Sequence, residues 1–582
     1  MATSLMVLST NSSIQKRPFM VPGKFYRDTT AGLSSTFKPI LRALPQIPLQ
    51  IDASKAIINL TAKFLDAVAD SVFELVDQPL LPSQRNFAPV EEIGEAVPVT
   101  NIQGQIPQDF PQGVYIRNGS NPLFGGLKST KSILGWSDSV WVEGEGMLHA
   151  LYFTKHSNGS YNMVYNNRHV ETETYKLEKQ STKPLFLPAT RGDSHALLFS
   201  LMLNKLRFGK NYKDYSNTSV FEHSGKLYSS AETHIPQEID IFTLSTVKDW
   251  DIDGRWNRPF GSHPKKVPGT GELVIFGVEA TKPFLEVGIV SADGKELVHR
   301  VDIQLDRCCL CHEIGVTSRY IAILDHPLII DLNRLLRRGP LIKYEKEKYA
   351  RIGIMPLYGD AASIKWFEVE PNSTFHVINS FEHGDEVVLW GCKALDAIIP
   401  GPEEGLNEYK WFSRCYEWRL NMKNGEVKEK YLTGPEQFLD FPVINPSFAG
   451  IRNRFCYIQV VDPIASCAAD IPKYGALAKL DFGEPCSELL PQGDTEHEEA
   501  IRVEYHRFES NVYCTGSTFI AKEGGLEEDD GWIITFVHNE DTDISQVYII
   551  DTKKFSGEAV AKITMPCRVP YGFHGAFMPI SF

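Results

Sequence analysis

The chain has 582 residues, of which 42% are hydrophobic and 11% aromatic, enough for a large core, and it carries a net charge of −14. That charge argues against a nucleic-acid partner, because affinity for a phosphate backbone is built from clustered Lys and Arg. Ten cysteines are present, densest at Cys308, Cys309 and Cys311 beside His312, and they lack the second, distant pair of a usual zinc spacing. They read as free thiols in a reducing compartment.

Residues 1–50 hold Lys16, Arg17, Lys24, Arg27, Lys38 and Arg42 against one acid, Asp28, amid abundant Ser and Thr. This is the composition of an organelle transit peptide, and a disordered leader shares it. Residues 51–85 form a second segment. From Ser54 to Asp77, Ile57, Leu60, Phe64, Val68, Val72, Leu75 and Val76 recur at helical spacing with acids opposite, which predicts an amphipathic helix ending before Pro79. Ser194 to Phe208 is a second apolar helical stretch. Neither is long and apolar enough to span a bilayer. Two roles remain open for each: packing on the body of the protein, or peripheral membrane contact through 54–77 and 194–208.

From about residue 100 the texture changes to short apolar or alternating runs such as Tyr320–Leu324, Glu386–Trp390, Trp532–Val537 and Val547–Ile550, separated by Gly, Asn and Asp. These read as strands of one large all-β sandwich, barrel or propeller, a class that absorbs this length in a single unit. The last fifteen residues contain Val569-Pro-Tyr-Gly-Phe-His574-Gly-Ala-Phe, whose aromatics predict a terminus locked into the core. His574 shares its β-rich setting with His263, His312 and His376. None of the four belongs to a His-x-x-x-His pair, so only the fold can bring them together. Four neutral imidazoles suit a divalent transition metal, and nitrogen donors alone do not select iron over zinc or copper. No Gly-x-Ser-x-Gly elbow or phosphate-binding glycine fingerprint competes with this reading.

Several motifs carry a resemblance. Asn86-Phe-Ala-Pro89, Gly113-Val-Tyr-Ile-Arg-Asn-Gly-Ser-Asn-Pro122, Glu143-Gly-Glu-Gly-Met-Leu-His149, His263-Pro, Glu417-Trp-Arg-Leu, Glu527-Glu-Asp-Asp-Gly531 and Val569-Pro-Tyr-Gly-Phe-His574 resemble, in order, those of the plant carotenoid cleavage oxygenase family, from about Asn86 to Phe582. Within it the chain looks like a divergent member near the 9,10-cleaving and zaxinone-synthase-like branches.

The resemblance implies an all-β fold over 86–582, a seven-bladed β-propeller with a helical cap over the active-site face. It also implies one Fe(II) per chain, held by His263, His312, His376 and His574. Glutamates that orient ligand imidazoles match Glu232 and Glu417. At a third such position relatives carry a glutamate and this chain has Ser517, a departure that would leave one imidazole a weaker donor. The implied activity is dioxygenase cleavage of a conjugated double bond in a carotenoid or apocarotenoid, with O2 as co-substrate and carbonyl products, in a plastid, with the cytoplasm as the alternative location. The competing expectation is a catalytically degenerate pigment-binding propeller.

Overall fold

Runs rich in β-branched and aromatic residues pair in register into antiparallel sheets. Leu285–Val290, buried throughout, lies between Leu273–Val278 and Leu297–Asp302. The computed structural model describes residues 53–397, 399, 409–485 and 501–580. The leader read over residues 1–50 lies outside the described residues. The chain divides into two compact units, Met1–Lys63 and Phe64–Phe582, and the second holds the features below.

Seven sheets succeed one another as blades. Blade 1 runs from Ser219–His223 to Thr246–Asp249, and blade 2 from Lys265–Lys266 to Leu297–Asp302. Blade 3 runs from Gly315–Val316 to Lys365–Val369, blade 4 from Ser373–His383 to Val427–Tyr431, and blade 5 from Leu439–Val443 to Ile501–Arg507. Blade 6 starts at Val512–Ala521 and takes Ile102–Gly104 as its outer strand; blade 7 starts at Gly575–Pro579, followed by Gly113–Ser120, Gly146–Lys155, Tyr161–His169 and Val97–Pro98. Each end of the ring thus borrows a strand from the other end of the chain. The terminus is locked in as expected, with Gly575–Pro579 paired to Gly113–Ser120.

Packing shows that the ring is closed. One apolar cluster joins blades 1 and 2 through Tyr228, Ile275 and Val290, and the next joins blades 2 and 3 through Phe276, Ile289 and Ile323. Others join blades 3 and 4 through Ile352 and Trp418, blades 4 and 5 through Trp390 and Ile458, and blades 5 and 6 through Tyr457 and Ile533. The circuit ends with Tyr115 against Phe536 between blades 6 and 7, and Ile116 near Val220 between blades 7 and 1. Every blade is therefore held on both flanks. Truncating one of the fully buried rings, such as Phe276, costs about 3–5 kcal/mol.

Helices Glu173–Ser181, Ser194–Phe208 and Leu332–Leu336 form a cap with the hairpin Leu328–Ile330/Ile342–Tyr344. The predicted helix over 54–77 needs correction. The helix runs Ala53–Val72, and Phe73–Asp77 is a strand paired with Lys128–Ser132. Phe73 is buried on Phe199, and an edge strand suits the β-branched and aromatic run that a helical period also fits. Leu65, Val68, Ala69 and Val72 pack on the cap, Asp66 pairs with Arg207 at 2.8 Å, and Phe64 points outward. Among the described residues, no helix is long and apolar enough to cross a membrane.

Candidate metal centre

The first strand of each blade faces the propeller axis, and the four predicted histidines sit on or just ahead of such strands. His263 precedes blade 2, His312 blade 3 and His574 blade 7, while His376 lies inside the first strand of blade 4. Pairing there slips between Thr374 and Val377 and again between Val377 and Asn379, a bulge that turns the side chain inward. Residues more than 300 positions apart thereby converge. One ligand atom from each ring lies within 4.8 Å of all the others, the only such donor group found among the described residues. His263 Nε2 is 3.1 Å from His312 Nε2, and ring centroids are 4.4 Å apart for His263 and His574 and 5.0 Å for His376 and His574.

The outer ring nitrogens have partners on two of the four. His312 Nδ1 is 2.7 Å from Glu232 Oε1, and His376 Nδ1 is 2.6 Å from Asp440 Oδ1. A carboxylate at Nδ1–H fixes the tautomer so that Nε2 presents its lone pair inward. Burial pushes the Glu232 and Asp440 carboxyls up, but the facing imidazoles and further donors outweigh it and hold both below the usual range. Asp440 also accepts from Ser413 Oγ at 3.0 Å and from Phe441 N–H at 2.8 Å. Phe441 takes a left-handed φ of 54° just after it, at another slip in pairing. Such a conformation is uncommon outside glycine and occurs at sites whose surroundings impose it.

Burial, reinforced by the neighbouring imidazoles, holds His263 and His574 well below the ordinary histidine value, so both are neutral donors. Burial acts the same way on His376, but Asp440 outweighs it and its value is raised. The buried Nε2 of His376 has no hydrogen-bond partner. Convergent imidazole nitrogens, one of them buried and without a partner, fit a divalent cation.

Two other expected residues stand elsewhere. Glu417 touches none of the four rings; it accepts from Trp390 Nε1 at 2.7 Å and pairs with Arg419 at 2.9 Å on blade 4. Asp440, which sequence reasoning passed over, holds the position given to it. The Ser517 hydroxyl donates to Thr535 Oγ1 at 3.0 Å within blade 6 rather than to an imidazole. Instead Thr515 steadies His574 through the backbone: its hydroxyl donates to Gly572 O at 2.6 Å and accepts from Gly572 N–H at 3.2 Å. Only glycine fits there, since a Cβ on residue 572 would meet the backbone oxygen of Asn118 at 2.7 Å as well as the Arg117 guanidinium.

Phe375 lies 5.0 Å from the His312 ring and packs with Leu328, Leu310 and Tyr344 of the cap side. Phe441 lies 4.7 Å from both His376 and His574. Beyond His376 along the same strand, Val377 to Ser380 line a more polar cavity of about 180 Å³ shared with His263, His376, His574, Lys265 and Glu313. The thiols of Cys308, Cys309 and Cys311 bond instead to the carbonyls of Glu279, Leu324 and Glu313, and burial pushes those of Cys308 and Cys311 up to about 12. They are free cysteines of the core.

The family described as Retinal pigment epithelial membrane protein matches residues 87–579. The chain belongs to that family. Relatives include the carotenoid 9,10(9',10')-cleavage dioxygenase of Crocus sativus, 30% identical over 90% of this chain and 94% of its own length. Carotenoid 9,10(9',10')-cleavage dioxygenase 1 of Pisum sativum is 32% identical over 89% and 94%. Among solved structures, lignostilbene dioxygenase of Pseudomonas brassicacearum superposes with a TM-score of 0.71 at 20% identity, covering 87% of this chain and all of that one, a likeness of fold. The family's propeller is the architecture of the seven blades above.

Proposed function

We propose that this protein is an iron(II)-dependent dioxygenase that cleaves a conjugated carbon–carbon double bond of a carotenoid or apocarotenoid. Both atoms of O2 enter the products, so that R–CH=CH–R′ and O2 give R–CHO and R′–CHO. The observation that carries the reading is the convergence of four imidazoles from four blades, two of them backed by carboxylates, Glu232 and the buried Asp440, in a chain of this family.

His263, His312, His376 and His574 would hold one Fe(II) per chain. Four neutral donors leave the ion its full charge, and bound there it supplies dioxygen chemistry. The chain's own residues do the rest. Glu232 and Asp440 hold protons at Nδ1 of His312 and His376 and so keep Nε2 available. Phe375 and Phe441 place apolar surface beside the rings, which suits a polyene and excludes water. Ser517 lies outside this arrangement, so its difference from the glutamate of relatives does not argue for a degenerate site.

A polyene is lipid-soluble, and the cap offers a route from a membrane surface. On the helix Ser194–Phe208, Met202 and Leu206 are exposed beside Lys205, Leu336 of the cap is exposed, and so are Ile133 and Trp136. Peripheral contact through these residues would deliver substrate without a spanning segment. The basic, acid-poor composition of residues 1–50 supports import into a plastid. Metal analysis tests the iron reading: anaerobic reconstitution should load about one iron per chain, and His263→Ala or His574→Ala should abolish loading. Full loading of either variant would contradict it.

A further inference from the structure

Glu313 stands immediately after one proposed ligand and touches segments that carry two others. Its backbone forms a parallel bridge with His263. One side-chain oxygen, Oε1, pairs with Lys265, two residues beyond His263. The other, Oε2, accepts the backbone N–H of Val377, the residue after His376, at 2.6 Å. Glu313 is itself buried, and its carbonyl accepts from Cys311 Sγ at 3.5 Å on the far side of His312. Its neighbour in the chain, Ile314, belongs to the apolar cluster between blades 2 and 3, so the backbone beneath it cannot drift.

We propose that Glu313 is the positioning residue of the metal centre, a strut that sets the spacing of the His263, His312 and His376 segments from the polar cavity. This rests on the metal reading above. Three features single it out. First, the bulge that turns His376 inward leaves Val377 N–H outside the regular ladder, and Glu313 Oε2 satisfies that donor. A buried N–H left unpaired would otherwise let the bulge relax. Second, Lys265 balances the carboxylate, so the strut adds no net charge beside the cation. Third, Glu232 and Asp440 each orient one ring, whereas Glu313 ties together the backbones from which three rings project. Rings fixed singly but on blades free to shift would not share one ion.

Glu382 provides the comparison. It too joins blades 3 and 4, accepting from Thr317 Oγ1 at 2.8 Å and pairing with Arg319, but it touches no ligand-bearing residue or neighbour of one. A residue that merely holds blades together would behave as Glu382 does.

The test is Co(II) titration of the full chain, reading affinity and the visible ligand-field spectrum, with melting of the metal-free protein alongside. Glu313→Met removes both acceptors at similar volume and should weaken Co(II) about 10- to 100-fold and shift the spectrum. Glu313→Gln keeps an oxygen for Val377 N–H but loses the charged partner of Lys265, and should recover most of the affinity, falling about 3- to 10-fold below the unaltered protein. Glu382→Gln should change melting only. If Glu313→Met does not fold, Glu313→Gln against Glu382→Gln decides. Affinity and spectrum equal to those of the unaltered protein in the folded Glu313 variants would overturn the strut while leaving the metal site standing. Failure of the unaltered protein itself to take up Co(II) or Fe(II) would overturn both.

Discussion

Replacing Asp440 by Asn isolates the charge behind one imidazole. Asp440 is buried and accepts three hydrogen bonds, from His376 Nδ1–H at 2.6 Å, Phe441 N–H at 2.8 Å and Ser413 Oγ–H at 3.0 Å. Asparagine keeps the shape. Its carbonyl oxygen can still receive the Nδ1–H and the Phe441 N–H, while its NH2 can donate to the Ser413 hydroxyl in place of the bond lost there. What disappears is the charge assistance on the bond to His376. A buried bond to a charged group contributes about 1.5–3 kcal/mol against 0.5–1.5 for a neutral one, so the donor strength of Nε2 drops by about 1–2 kcal/mol. At 1.4 kcal/mol per tenfold, that is roughly a 5- to 30-fold weaker Fe(II) affinity. Anaerobic competition with a chelator of known affinity measures it. An Asp440→Asn protein that binds iron within twofold of the unaltered chain would refute the reasoning, because the carboxylate would then be structural only.

Other expectations concern different parts of the molecule. Glu417→Gln should leave metal affinity unchanged, since its partners are Trp390 and Arg419; a loss comparable with that of Asp440→Asn would show that it reaches the centre. His326 is buried with neither ring nitrogen bonded, and burial, helped by Arg307, lowers its value to about 3. Its folded value lies below the unfolded one, so the stability it contributes is present above pH 6.5 and is lost as pH falls toward 3. The loss should reach about 3 kcal/mol by pH 4, and a His326→Leu protein should show a correspondingly shallower acid denaturation profile. Identical profiles would remove His326 from the account. Met202→Glu with Leu206→Glu should abolish binding to neutral lipid vesicles in a flotation assay without affecting iron content; unchanged flotation would exclude this face of the cap.

The parts legible in the sequence were those with a short repeat or an ordered motif. Strand periodicity showed a large β fold because Leu285–Val290 and its like are buried on both faces. Blade number was not readable from pattern, since the blades share no sequence repeat, and it came from the resemblance. The four histidines stood out only through the motifs around them, each beside an inner strand. Asp440 was hidden because it is one of 73 acidic residues and its role depends on a backbone turn at Phe441 that no local motif announces. Glu417 shared the right chemistry and the right neighbourhood of the chain but lies on the third strand of its blade, facing Trp390. Residues 73–77 misled because Val72, Leu75 and Val76 satisfy a helical period while pairing with Lys128–Ser132 makes a strand of them. In each case tertiary contact, absent from a linear pattern, decided the outcome.

The central claim is cleavage by a metal centre that uses dioxygen. Its most direct test is the mass of the products formed by Fe(II)-reconstituted protein from C40 carotenoids and shorter apocarotenals in detergent micelles under 18O2. The account predicts paired carbonyl fragments, each carrying one 18O when exchange with water is suppressed, and none without dioxygen or from His574→Ala. Intact substrate across the panel from protein that holds one iron per chain would contradict it.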